Sequence, residues 1–150
     1  IIGSELIGQY FGDPSFFWGR PSATQPYAYN ALQSSGSNLG PSNPELIRLI
    51  KDRIATLFDV EEKAPVPIDL VTSSGSGLDP DISPYAAFFQ TPRIAGMRNL
   101  DRSVVNRLIE EQIIGRDFNL LGEPRINVLQ LNIALEQLDK QMHPNDKEHE

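Results

Sequence analysis

Apolar residues recur at helical spacing in several windows of the chain. Leu46, Ile47, Ile50, Ile54 and Leu57 share one face of a predicted helix that runs to about Phe58. Asn43 is placed to cap it, and Pro44 suits the first position, where a missing N–H is harmless. The same cap-then-proline signal stands at Ser83–Pro84, before Tyr85-Ala86-Ala87-Phe88-Phe89, and at Thr91–Pro92, before Ile94, Ala95 and Met97. Asp101 is expected to cap a further helix carrying Val104, Val105, Leu108, Ile109 and Ile113, with Gly115 as its stop. A last helix is predicted from about Asn127. Its seam is Val128, Leu131, Leu135, Leu138 and Met142, widened by Leu129 and Ile133. Two heptads of such a stripe indicate core packing, since a coiled coil needs about three or four.

Strand signals are fewer. Val66–Thr72 alternates well enough for a strand, and Pro67 confines it to a strand start or a sheet edge. Phe16-Phe17-Trp18 and the stretch around Phe118–Leu121 are the other candidates. The predicted class is therefore α+β: one compact, helix-rich domain with a small sheet of short strands. Residues 1–12 read as a leading segment, 13–139 as the globular domain and 140–150 as a polar, mobile tail.

Two loops echo each other. Residues 34–41 read SSGSNLGP and residues 73–80 read SSGSGLDP. Ser and Gly favour turns, and Pro fixes the exit, so two similar connecting loops is the plain reading. The functional alternative is a nucleotide- or anion-binding regulatory module acting through the N–H groups of these loops, with Ser35, Gly36, Ser37, Ser74, Gly75, Ser76 and Gly77 as candidates. Neither loop carries the lysine of a phosphate-binding loop, so a nucleotide triphosphatase of that type is excluded.

Composition narrows the function further. The 150 residues carry a net charge of -7, which opposes binding to duplex nucleic acid or to anionic lipid. With no cysteine, thiol catalysis, disulfides and thiolate metal sites are ruled out. The two histidines, His143 and His149, lie in the polar tail, where no third group holds an imidazole for catalysis. Asp79 and Asp81 flank Pro80 and read as turn formers before they read as an acid–base pair. No catalytic residue, metal ligand or bound cofactor is assigned. Aromatic residues are the distinctive surface candidates. Tyr10, Phe11, Phe16, Phe17, Trp18 and then Arg20 suit a partner-docking cluster, with an interior hydrophobic cluster as the alternative for Phe17 and Trp18. No Lys or Arg precedes Arg20, which favours a non-cytoplasmic position if a membrane helix precedes the chain.

The stretches GSELIGQYF (3–11), FFWGRPSAT (16–24), YNALQSSGSNLGPSNPEL (29–46), PIDLVTSSGSGLDPDISPYAA (67–87), QTPRIAGMR (90–98) and LGEPRINVLQLNIAL (121–135) are similar to the C subunit of Kdp-type potassium-transporting ATPases. The resemblance implies an accessory subunit of a high-affinity, ATP-driven potassium importer, without catalytic machinery of its own. It implies three partners: a channel-like potassium-conducting subunit, a P-type ATPase subunit and a small peptide. ATP, magnesium and potassium would be used by that complex rather than by this chain. Members of the family are anchored in the cell membrane by one N-terminal helix, which implies an extracytoplasmic position for this domain. Its expected role is to support assembly and stability of the complex, as a clamp or cap on the outer face of the potassium-conducting subunit.

Overall fold

A computed structural model describes residues 3–57, 65–115 and 122–142. Six helices and one two-stranded sheet are seen among them: α1 (Pro44–Leu57), α2 (Ile68–Val71), β1 (Asp81–Ile82), α3 (Pro84–Phe89), α4 (Thr91–Arg98), α5 (Arg102–Glu111), β2 (Ile126–Asn127) and α6 (Val128–Met142). The domain is α+β and helix-rich.

Local chemistry sets most of these boundaries. Asn43 Oδ1 accepts the Glu45 N–H at 2.9 Å, Ser83 Oγ the Ala86 N–H at 3.2 Å, and Asp101 Oδ1 the Ser103 N–H at 2.7 Å. Each removes one of the orphan donors at a helix start. Asn127 serves twice. It pairs with Asp81 in the sheet, and its Oδ1 accepts the Gln130 N–H at 3.1 Å to open α6. Thr91 departs from expectation. It is already helical, and its hydroxyl donates to Asn106 Oδ1 at 2.9 Å, so it ties α4 to α5 instead of capping. Asn99 closes α4 in the left-handed conformation at φ 52°. Helix α5 ends at Glu111, short of the predicted stop at Gly115.

The predicted strand at Val66–Thr72 is instead the single helical turn of α2. Pro67 supplies an extended N-cap, and the N–H groups of Leu70 and Thr72 donate to Pro67 O and Ile68 O. Burial decides the matter: Leu70 and Val71 are both inside while Ile68 is 70% exposed, which no alternating strand can satisfy. The observed strands are only two residues long. β1 runs antiparallel to β2, with Asp81 opposite Asn127 and Ile82 opposite Ile126. Phe118–Leu121 lies outside the described residues. Lys140–Met142, read from sequence as tail, form the last turn of α6.

The core is built from Phe17, Ile94, Val105, Ile109, Ile126, Leu131 and Leu135, all essentially without exposed surface. It lies among α3, α4, α5 and α6, which pack on one another, while α1 packs on α2. Burying each such side chain stabilises the fold by about 1.5–3 kcal/mol. Val128, Leu131 and Leu135 bear out the α6 seam, and Met142 at its end is exposed.

Candidate partner-binding groove

Residues 13–18 belong to no sheet: Asp13–Phe16 form a turn in which the Phe16 N–H donates to Asp13 O at 3.2 Å, and Phe17 and Trp18 follow it without regular structure. Helix side chains satisfy their backbone instead. Asn132 of α6 accepts the Phe17 N–H at 2.9 Å and donates to Phe17 O at 3.0 Å. Gln90, between α3 and α4, does the same for Trp18, at 2.8 Å and 3.1 Å. Arg93 donates to Pro14 O and Phe16 O, and Arg98 Nε to Ser15 O at 2.8 Å. The Trp18 indole N–H closes the segment on Asp13 O at 3.1 Å. Two guanidiniums also cover rings, Arg93 at 3.9 Å above Trp18 and Arg98 at 4.8 Å above Phe16. Arg98 in turn pairs with Glu136 and Asp139, which locks α4 to α6. The predicted strand at Phe16–Trp18 is not formed: Phe16 closes a turn, and the backbone of Phe17 and Trp18 is fastened by side-chain amides rather than by a neighbouring strand.

This clamp sorts the aromatic cluster. Phe17 is fully buried in the core, so its ring offers a partner nothing; the interior reading holds for it. Phe16 packs against Phe11, with ring centroids 5.8 Å apart. Tyr10, Phe11, Trp18 and Arg20 line a single groove of about 330 Å³, and Tyr10 is 77% exposed at its edge. Two further groove residues, Tyr29 and Arg53, were not singled out from sequence.

Tyr29 holds the groove wall. Its hydroxyl donates to Arg20 O, and its ring lies where a Cβ on Gly8 would stand only 2.4 Å away. Burial first, and the Asp79 charge second, push its phenol up to about 12, with Arg20 opposing. Arg20 Nη1 lies 3.1 Å from Asp79 Oδ2, while its Nε is buried with no hydrogen-bond partner. Arg53 lies three residues after Ile50 and four before Leu57, so it sits at the apolar stripe of α1 rather than on its polar face. That spacing is the signal that could have found it.

The Ser-Gly loops meet each other. The Ser35 N–H donates to Ser76 O at 2.9 Å, and Ser34 Oγ donates to the same oxygen. The Gly77 N–H is taken by Ser74 Oγ at 3.0 Å, and the Leu78 N–H by Ser76 Oγ at 3.1 Å. A Cβ on Gly36 would lie 2.9 Å from Gly75 O, so the two backbones are in contact. Ser37 and Gly75 are exposed. The amides of Ser35 and Gly77, which an anion would need, are engaged inside this paired turn. The acids beside Pro80 are engaged as well. Asp79 holds Arg20 and accepts the Asp81 N–H, while Asp81 pairs with Arg125 at 3.2 Å. Burial, with Asp79 second, raises the Asp81 carboxyl above its ordinary range. Asp81 is a strand residue and not the turn former its neighbourhood suggested. His143 and His149 lie outside the described residues. Among the described residues no three His, Cys, Asp or Glu side chains are grouped to hold a metal ion, and no helix is long and apolar enough to cross a membrane.

The family model described as K+-transporting ATPase, c chain (KdpC) matches residues 1–137. The potassium-transporting ATPase KdpC subunit of Methylococcus capsulatus is 59% identical over 140 residues, covering 92% of this chain and 74% of the relative. That of Dechloromonas aromatica is 55% identical, covering 93% and 74%, and that of Paraburkholderia phytofirmans 55%, covering 92% and 73%. With a family match over nearly the whole chain and relatives at this identity, the chain belongs to the KdpC family, the c chain of K+-transporting ATPases.

Proposed function

We propose that this chain is a non-catalytic accessory subunit of an ATP-driven potassium uptake complex. In this reading it stabilises the assembly of the potassium-conducting and P-type ATPase subunits from the extracytoplasmic side, anchored by a membrane helix that precedes this domain. ATP, magnesium and potassium are then used by the partners. The observation that carries the docking role is the gathering of Tyr10, Phe11, Trp18 and Arg20 in one groove, with Trp18 on a segment fastened by Gln90, Arg93, Arg98 and Asn132. A preorganised aromatic and arginine surface loses little side-chain freedom when a partner covers it. The lack of Lys and Arg before Arg20 supports the extracytoplasmic placement.

The test uses the subunit with its membrane helix, co-expressed with the remaining subunits and purified in detergent. Potassium-stimulated ATPase activity and subunit composition are compared with and without the domain of residues 1–150. The expected result is loss of activity and a less stable complex when the domain is missing. Normal transport and an intact complex without it would sink the reading.

A further inference from the structure

The groove is set apart from the rest of the chain by its charge. The chain has 20 acidic against 13 basic residues. Yet among the described residues the groove is lined by Arg20 and Arg53 and by no Asp or Glu. Arg20 is neutralised by Asp79 but keeps one buried N–H without a partner. Arg53 is different. Its Nη1 donates to Val71 O at 2.7 Å and its Nη2 reaches Ser73 Oγ at 3.4 Å, both uncharged acceptors. No carboxylate pairs with it among the described residues. Burial moves its pKa downwards.

A half-buried guanidinium that meets no carboxylate among the described residues is an arrangement that an incoming anion relieves. The remaining walls are apolar and aromatic, from Tyr10, Phe11, Trp18 and Leu57. Such walls call for an apolar body around that anion. The volume of about 330 Å³ suits a few side chains of a peptide segment.

We infer that the groove receives an apolar segment of another subunit of the same assembly, carrying an Asp or Glu whose carboxylate lands on Arg53 with Arg20 beside it. The inference rests on the docking role proposed above and adds the chemistry of the partner. Arg53 becomes the residue that fixes the register of docking, while the aromatic walls supply contact area.

The experiment again uses the full-length subunit in the detergent-purified complex, with Arg53→Glu, Arg53→Met and Arg53→Lys compared with the unaltered chain. Retention of the subunit through a salt wash is measured, and circular dichroism checks that each variant is folded. Arg53→Glu should cut retention by about tenfold or more, because it sets two like charges against each other in a partly desolvated site. Arg53→Met keeps the stem without the charge and should fall between. Arg53→Lys places an amine at the site, so treatment with a carbodiimide should give a new amide cross-link to an Asp or Glu of another subunit, found by mass spectrometry and absent from the unaltered complex. If a folded Arg53→Glu subunit is retained like the unaltered one, or the amine couples only to acids of its own chain or to lipid, the inference fails while the accessory role stands. If the unaltered subunit does not co-purify at all, both fail together.

Discussion

Removing the Asn132 carboxamide isolates the clamp from the rest of the fold. This side chain is 2% exposed and satisfies both the N–H and the C=O of Phe17, itself fully buried. In Asn132→Ala both backbone groups lose their partner inside the core. Each unsatisfied buried group costs about 1–3 kcal/mol, so the variant should lose about 2–6 kcal/mol. Alanine is the better helix former within α6, but that returns at most about 0.7 kcal/mol and does not change the sign. Against a total stability of about 5–15 kcal/mol the loss is large. With a urea m-value of about 2 kcal/mol/M, the unfolding midpoint should fall by roughly 1–3 M. Trp18 is the single tryptophan and adjoins Phe17, so its fluorescence follows the transition at the site of the change. Gln130→Ala, exposed on the same helix, is the control and should change stability by less than about 0.5 kcal/mol. A midpoint for Asn132→Ala within about 0.3 M of the parent, at equal m, would refute the reasoning. It would mean that water takes up the two bonds at no cost.

Three further outcomes follow from the same geometry. Gly77 has φ +69°, and a Cβ there would stand 2.5 Å from Ser35 O; Gly77→Ala should therefore destabilise by about 2–4 kcal/mol in thermal melts, whereas Gly75→Ala, facing open space, should change little. Tyr29 keeps its proton in the folded chain up to about 12, above the ordinary value of 10.0. Its contribution to stability is thus fully present below pH 10 and is lost as pH rises from there through about 12. An ultraviolet tyrosinate titration should show one of the four tyrosines ionising last, and Tyr29→Phe should remove that step. Ser83→Ala deletes the cap of α3 and should cost about 1 kcal/mol by urea unfolding, with Ser83→Asp recovering most of it.

Which parts were legible in the sequence follows from the range of the interactions that made them. Asn43, Ser83 and Asp101 act within three residues of themselves, so their helices could be read directly. The sheet could not. Strands of two residues carry no alternation, and Asp81 meets Asn127 only through the tertiary fold. At Val66–Thr72 the alternation misled, because Pro67 starts a helical turn and adjacent residues, Leu70 and Val71, are the ones the core takes. The strand expected at Phe16–Trp18 does not form, because the partners of Phe17 and Trp18 lie 115 and 72 positions away in Asn132 and Gln90 and are side chains, which no local pattern reveals. The echo of SSGS was legible as turn chemistry, while the packing of one loop on the other was not. In the groove the aromatic members stood out by type. Arg53 hid in an otherwise ordinary amphipathic helix, and Tyr29 in a segment with no periodicity at all.

The side-chain fastening of residues 13–18 also bears on how the chain behaves among its own copies. An apolar, uncharged stretch such as Phe16-Phe17-Trp18 is of the kind that recruits strands from other molecules when its N–H and C=O groups are open. Here amide and guanidinium groups of α4, α6 and the α3–α4 junction already engage those groups. A second molecule can add to it only after a buried side chain has been withdrawn. Gln90, Arg93, Arg98 and Asn132, four polar residues that an inspection of surface charge would pass over, thus close this segment against pairing with another copy.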